Sequence, residues 1–220
     1  MLPIKLVVIL LFVTSAAASA QTIGNSGFEN PALGNNAFIY DPATGPTQQW
    51  TFQQNSGVAQ NDSGNFQVSG GANGQFGFLQ GTNSATNGII SQTISFNTAG
   101  AFQLSYLEAG RVPNGFGPGG DLSYNVTIAP AGGGSAVLNV NDSTISSQPF
   151  TLTNYQFTLP NAGNFALTFT AVNAAHNDDT AFFDNVAISA VPEPSLLALV
   201  TIGGAIAFVT CSWWKRPSSH

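Results

Sequence analysis

The chain has almost no basic residues and one cysteine. Four Lys and Arg residues are spread over 220 positions. Between residues 21 and 190 the only one is Arg111, set against Glu29, Asp41, Asp62, Glu108, Asp121, Asp142, Asp178, Asp179 and Asp184. So acidic a segment cannot neutralise phosphates, which excludes nucleic acid, and it is not drawn to an anionic membrane surface. Cys211 has no second cysteine to pair with, so no intrachain disulfide can hold the fold. Helical periodicity is missing from residues 21–190, and so are the Gly-x-Ser-x-Gly and His-Glu-x-x-His motifs. His176 is the one neutral-pH base there, in a polar run, Asn173 to Asp179, that reads as an exposed loop.

What is present is alternation with period two. Ile90, Gln92, Ile94 and Phe96 interleave with Ser91, Thr93 and Ser95, and Phe102, Leu104 and Tyr106 with Gln103 and Ser105. Tyr124, Val126 and Ile128 share a parity, as do Phe165, Leu167 and Phe169. Such runs predict strands with one buried and one wet face. Further strands are expected over 50–52, 66–68, 75–80, 137–140, 150–159 and 182–188. Clusters of Gly, Asn and Asp between them, such as 97–100, 132–134 and 161–164, supply the turns. Residues 113–120, Pro-Asn-Gly-Phe-Gly-Pro-Gly-Gly, predict a flexible connection or a ligand-facing loop carrying Phe116. The expectation is one all-β domain, a jelly-roll β-sandwich, over residues 21–190.

The two ends differ from that middle. Lys5, an apolar run over 6–13 and Ala18-Ser19-Ala20 form a secretory signal peptide over residues 1–20, too short to span a membrane. At the other end stands Val191-Pro192-Glu193-Pro194, followed by an uncharged stretch from Ser195 to Trp214, then Lys215-Arg216. Twenty such residues in a helix just cross a hydrocarbon core of about 30 Å, and the basic pair marks the cytoplasmic end. Residues 191–220 resemble the PEP-CTERM sorting signal, with Pro192, Glu193 and Pro194 as the box and Lys215 and Arg216 as the basic end. The resemblance implies export, transient anchoring in the membrane by the C-terminal helix, cleavage near the box by an exosortase, and delivery to the cell envelope or extracellular matrix.

Within the domain, Asn25-Ser26-Gly27-Phe28-Glu29-Asn30-Pro31 near the start and Phe182-Phe183-Asp184-Asn185-Val186 near the end carry a second resemblance. They are similar to the first and last segments of galactose-binding-like jelly rolls, a superfamily that includes many carbohydrate-binding modules. Simple alternation gives Asp184 the inward parity of Phe182, Val186 and Ile188, where a carboxylate needs a counter-charge. Arg111 is one candidate partner. Ca2+, which takes oxygens from Asp, Glu, Asn and carbonyls, is the other. The resemblance implies a structural calcium, with Glu29 and Asp184 as ligands and Asn25 as a weaker one. Trp50, Tyr40, Tyr106 and Phe116 are candidate platforms for sugar rings, with Arg111 and Asn114 as polar partners. Glu108, close in sequence to Arg111, is the best single acid for catalysis, though a rim salt bridge explains it more simply.

The sequence thus predicts a non-enzymatic surface or matrix protein, exported and able to interact with extracellular polysaccharide. A specific carbohydrate-binding module with structural calcium and a secreted glycan hydrolase are the alternatives.

Overall fold

The computed structural model describes residues 20–192, apart from 61–62, 71–73, 84–86, 115–118, 120, 173–175 and 177. Residues 1–19 of the signal peptide, Glu193, Pro194, the apolar stretch, Lys215 and Arg216 lie outside the described residues, and so does Phe116. Among the described residues no helix is long and apolar enough to cross a membrane.

Twelve strands follow in order: β1 (Ala20–Gln21), β2 (Phe38–Tyr40), β3 (Thr51–Gln53), β4 (Ser56–Gln60), β5 (Gln75–Gly81) and β6 (Ile89–Phe96). They continue as β7 (Gly100–Gly110), β8 (Leu122–Pro130), β9 (Leu138–Thr144), β10 (Thr151–Leu159), β11 (Gly163–Ala171) and β12 (Asp179–Ala190). They form two antiparallel sheets. The first runs β10-β7-β12-β5-β4-β2, with β1 added beside β12, and the second runs β3-β6-β11-β8-β9. From β5 onward, apart from the β8–β9 pair, each strand enters the sheet opposite its predecessor. That is the winding of a jelly-roll sandwich.

The alternation read from β6, β7, β8 and β11 sets the inter-sheet core. Ile90, Ile94, Phe102, Leu104, Val126, Ile128, Leu167 and Phe169 are all buried in one cluster. Gln92 takes an inward place in β6 as well. It escapes the cost of a bare amide by accepting from Gly24 N–H and donating to Gly24 C=O, at 2.9 and 2.8 Å, so it pins the N-terminal segment to the sheet. Residues 66–68 are not a strand of either sheet, and Val68 makes only an isolated bridge to Arg111. The short strands β2 and β4 carry no alternation that predicts them.

The first sheet departs from a one-sided pattern. In β5 every residue is buried, because Leu79 packs into the inter-sheet core while Phe76 and Phe78 join a second cluster on the outer face. Gly77 faces inward at a point where a Cβ would lie 2.9 Å from the Phe28 ring, so the glycine is what admits that ring. In β12, Phe183 points inward and Phe182 outward. Simple alternation would then turn Val186 and Ile188 outward. A bulge between Asp184 and Ala187, with Asn185 at φ 50°, inserts one residue and returns both to the inter-sheet core. The expectation that Asp184 shares an inward face with Phe182, Val186 and Ile188 is therefore corrected. It lies on the outer face beside Phe182's column, half-buried.

Residues 19–191 form one compact unit that holds every strand and both apolar clusters. It carries its own core without a disulfide.

Candidate functional site

The outer face of the first sheet is built from aromatic rings. Phe66, from the segment over residues 63–70, lies across it, stacked on Phe78 at 4.4 Å between centroids and edge-on to Phe182 at 6.2 Å. Val68 joins the same cluster, together with Phe76, Ala59 and Ala109. Three contacts hold this strap down. Val112 N–H donates to Gln67 C=O at 2.9 Å, Asn114 Nδ2 donates to Gly64 C=O at 2.9 Å, and the Arg111 guanidinium sits 5.2 Å above the Phe66 ring. The middle of the face is thus filled by the chain itself, and Phe66 is only 1% exposed.

The rim of that face stays open. Tyr40 on β2 is 42% exposed and Phe38 36%, with their rings edge-to-face at 6.0 Å. Tyr40 Oη donates to Gln80 Oε1 at 2.6 Å. Gln80 Nε2 donates in turn to Asp178 Oδ1, while Asp178 Oδ2 receives Arg111 Nη1 at 2.5 Å. Burial, and then the Asp178 charge, push the Tyr40 hydroxyl up from its ordinary value, so it stays protonated near neutral pH. Two of the residues expected at a ligand site, Tyr40 and Arg111, are therefore linked here, while Asn114 lies on the strap at Gly64. Gln80 and Asp178 complete the group. No sequence signal marked them, because their partners are 98 and 67 residues away in the chain.

Trp50 and Tyr106 are not platforms. Trp50 is fully enclosed, stacked on Phe28 at 5.0 Å, and its Nε1–H donates to Asn25 C=O at 3.0 Å. Burying a large ring and satisfying its one donor is worth more than exposing it. Tyr106 is likewise buried, its hydroxyl 3.2 Å from that of Tyr124.

Arg111 pairs neither with Asp184 nor with Glu108. It points to the outer face, whereas Glu108, three residues before it in the chain, points between the sheets. There Glu108 accepts hydrogen bonds from Tyr124 Oη and, at 2.6 Å, from Thr153 Oγ1. Burial pushes its carboxyl up from the usual range, and the two donors only partly offset this. Nearby, Tyr155 of β10 donates to Asp142 of β9, linking the edge strands of the two sheets. Glu108 is thus part of a polar seam that closes one side of the sandwich, and the expected rim salt bridge is absent.

The segments carrying Glu29 and Asp184 do meet. A Cβ on Gly27 would lie 3.4 Å from Asp184 Oδ1 and 3.9 Å from Asn185 Oδ1 and from the Glu29 Cγ, so two side-chain oxygens meet there while the Glu29 carboxylate itself turns toward Gly74 and Gln75. Val186 N–H donates to Ser26 C=O at 3.0 Å and fastens the two segments together. Glu29 Oε1 accepts Gln75 N–H at 3.1 Å. Burial first, and the nearby Glu29 charge in addition, push Asp184 up to about 6, against the opposing bond from Asn185 N–H. Asn25 does not take part. Its amide is spent on Asn30 and Gln48, including Nδ2 to Gln48 Oε1 at 2.7 Å, which shapes the turn. Asn185 is the group that sequence reading missed, since only the bulge brings its side chain to this place.

His176 is exposed, as expected of a loop, with Nδ1 3.6 Å from the buried Asp179 carboxylate. Among the described residues no cluster of three or more His, Cys, Asp and Glu is arranged to hold a metal.

No protein-family model matches this chain, and no curated protein matches it. Solved structures do. A cyclase from Fischerella sp. TAU in complex with 4-(1H-indol-3-yl)butan-2-one is 20% identical, with a TM-score of 0.57, over 81% of this chain and 100% of that one. The apo form of a cyclase from Fischerella sp. is 22% identical, with a TM-score of 0.56, over 82% and 100%. The carbohydrate-binding module TmCBM61 in complex with beta-1,4-galactotriose is 12% identical, with a TM-score of 0.52, over 79% and 100%. This chain is similar to an enzyme and to a binding module alike, and at these identities the likeness concerns the fold.

Proposed function

We propose that the chain is an exported, non-enzymatic β-sandwich that meets neutral carbohydrate at the cell surface or in the extracellular matrix. One observation carries this reading. The half-exposed Tyr40 ring carries a hydroxyl held in place by the buried Gln80, with the partly exposed Asp178 carboxylate beyond it, while the rest of the aromatic face is closed. A sugar ring offers C–H faces to an aromatic ring and hydroxyls to amides and carboxylates, and such a site needs few convergent polar groups. Arg111 neutralises Asp178, so the site suits an uncharged glycan. The non-enzymatic reading is supported by Glu108, the best single acid in the sequence, which is 5% exposed and hydrogen-bonded between the sheets.

Calcium belongs to the same proposal. The Asp184 carboxylate beside the Asn185 amide oxygen, the Glu29 charge close enough to act on it, and the raised value of Asp184 suit a hard cation that draws these groups together. Bound there, Ca2+ would tie the first segment of the domain to its last strand, doing the work of a disulfide the chain lacks. The termini complete the reading. A signal peptide directs export, and the Pro192-Glu193-Pro194 box, apolar helix and Lys215-Arg216 end serve an exosortase that releases the domain from the membrane.

Three outcomes are expected. Tyr40→Ala should weaken binding of neutral oligosaccharides at least tenfold by calorimetry while the domain remains folded, and unchanged affinity would reject the rim site. For Asp184 the sign is definite. Its folded-state value is raised, so in chelator its contribution to stability is full below the unfolded value of about 3.9 and is lost as pH rises through about 6. Calcium, binding the ionised form, should reverse that trend and raise the melting temperature at pH 7.5, adding about 2.7 kcal/mol of stability at a hundred times Kd. Asp184→Asn should abolish both effects, and indifference of the wild type to chelator would remove calcium. Lastly, the intact mass of the surface-released protein should lack residues 1–20 and 196–220; retention of the apolar stretch would leave a plain anchor.

A further inference from the structure

The outer face of the second sheet bears no charge and follows a regular order. The strand register lines up Thr51, Ser91, Thr168, Thr127 and Asn139 as one rung across all five strands. The adjacent rung brings Thr170 opposite Asn125 and Asn125 opposite Asn141. Their inward neighbours, such as Ile90, Leu167, Val126 and Ile128, fill the core, so the hydroxyls and amides point outward. Sheet geometry sets the spacing at about 4.8 Å across strands and about 6.7 Å along them. Asn125 is fixed in place, with Nδ2 donating to Asn139 Oδ1 at 2.8 Å and Asn141 Oδ1 at 3.0 Å.

At the β8–β9 end of this face lies a hollow of about 480 Å3, lined by Ser123, Asn141, Asp142, Ser143 and Val172. Its size is that of a small-ligand site. Val172 is exposed and offers an apolar wall, while the serines, Asn141 and Asp142 offer polar ones.

We propose that this face is a second carbohydrate-contact surface, one that lies along an extended or ordered neutral polysaccharide with a sugar ring seated in the hollow beside Val172. The proposal rests on the carbohydrate reading above but on different residues. Charge decides the class of partner. The face has no cations for a polyanion, its two rungs have no anions for a basic protein, the one carboxylate at the hollow, Asp142, is taken by the Tyr155 hydroxyl, and the rest of the domain is acidic enough to repel a polyanion. A second copy of the chain is disfavoured, because a protein interface needs buried aromatic or large aliphatic anchors, and Ile89 is the one large apolar side chain in the two rungs. A neutral polymer presents hydroxyls at repeating intervals, and a repeating array of donors and acceptors can engage many of them weakly at once, giving avidity without a deep pocket.

The test uses the self-contained unit over residues 20–191. Its cosedimentation with insoluble cellulose, chitin and mannan is measured beside its affinity for soluble neutral oligosaccharides. Thr127→Val/Thr168→Val keeps the β-branched shape and removes the central hydroxyl pair; Val172→Asp charges the hollow. Either variant should lower retention on the insoluble polymer that binds wild type at least fivefold, leaving the melting temperature and the affinity for soluble oligosaccharides unchanged. Retention unchanged in both variants, or retention lost only in Tyr40→Ala, would overturn the second surface while leaving the rim site standing. Absence of wild-type retention on all three polymers would also overturn it, as would inhibition of ice recrystallisation without polysaccharide retention, which would assign the array to ordered water. Loss of soluble oligosaccharide binding in the wild type would instead remove the rim site, and the polymer result would stand by itself.

Discussion

A single sheet in this domain must bury both of its faces, and the bulge in β12 makes that possible. With two apolar residues in succession, Phe182 outward and Phe183 inward, regular alternation would leave Val186 and Ile188 in the wrong layer. Asn185 absorbs the mismatch in a left-handed conformation that asparagine tolerates better than most residues. The outer aromatic cluster, the strap that covers it, and the outward placement of Asp184 beside Glu29 all depend on this one inserted residue. So does the division of labour across the molecule. The first sheet becomes a core on both sides, and the second keeps a wet, uncharged face.

Much of the architecture was legible in the sequence, for a physical reason. The strands of the second sheet and β7 have one dry and one wet side, so their alternation survives in the residue pattern. The same rule failed where both sides are dry. Nothing in Gln-Phe-Gly-Phe-Leu-Gln marks two separate clusters, and Phe182-Phe183-Asp184 invites a parity that the bulge breaks. Strands β2 and β4 are too short to show a period. At the sites, proximity in sequence misled. Glu108 and Arg111 stand three residues apart, which puts them on opposite faces of the sheet, so they cannot pair. Arg111 instead finds Asp178, which no spacing rule could indicate. An aromatic ring such as Trp50 suits a sugar platform by residue type alone, yet the same ring is the largest filler the core has.

These placements give one account of function. A domain with a single cation, no disulfide and two aromatic cores has little with which to grip a charged partner and much surface of hydroxyls and amides. Its openings are at edges. The Tyr40 rim, the Asp184 carboxylate at Gly27 and the hollow by Val172 all lie beside closed cores. Similar folds serve both a cyclase and a galactotriose-bound module, so the sandwich alone does not choose between catalysis and binding, and the side chains on these edges must.

The most direct test of that account is the unfolding free energy of Phe66→Ala, measured by denaturant titration alongside oligosaccharide affinity. If the strap is core, the substitution should cost about 3–5 kcal/mol, as for other large aromatic truncations, and bring no gain in binding. A cost below about 1 kcal/mol together with tighter glycan binding would contradict it, and Phe66 would be a displaceable cover over an open aromatic face.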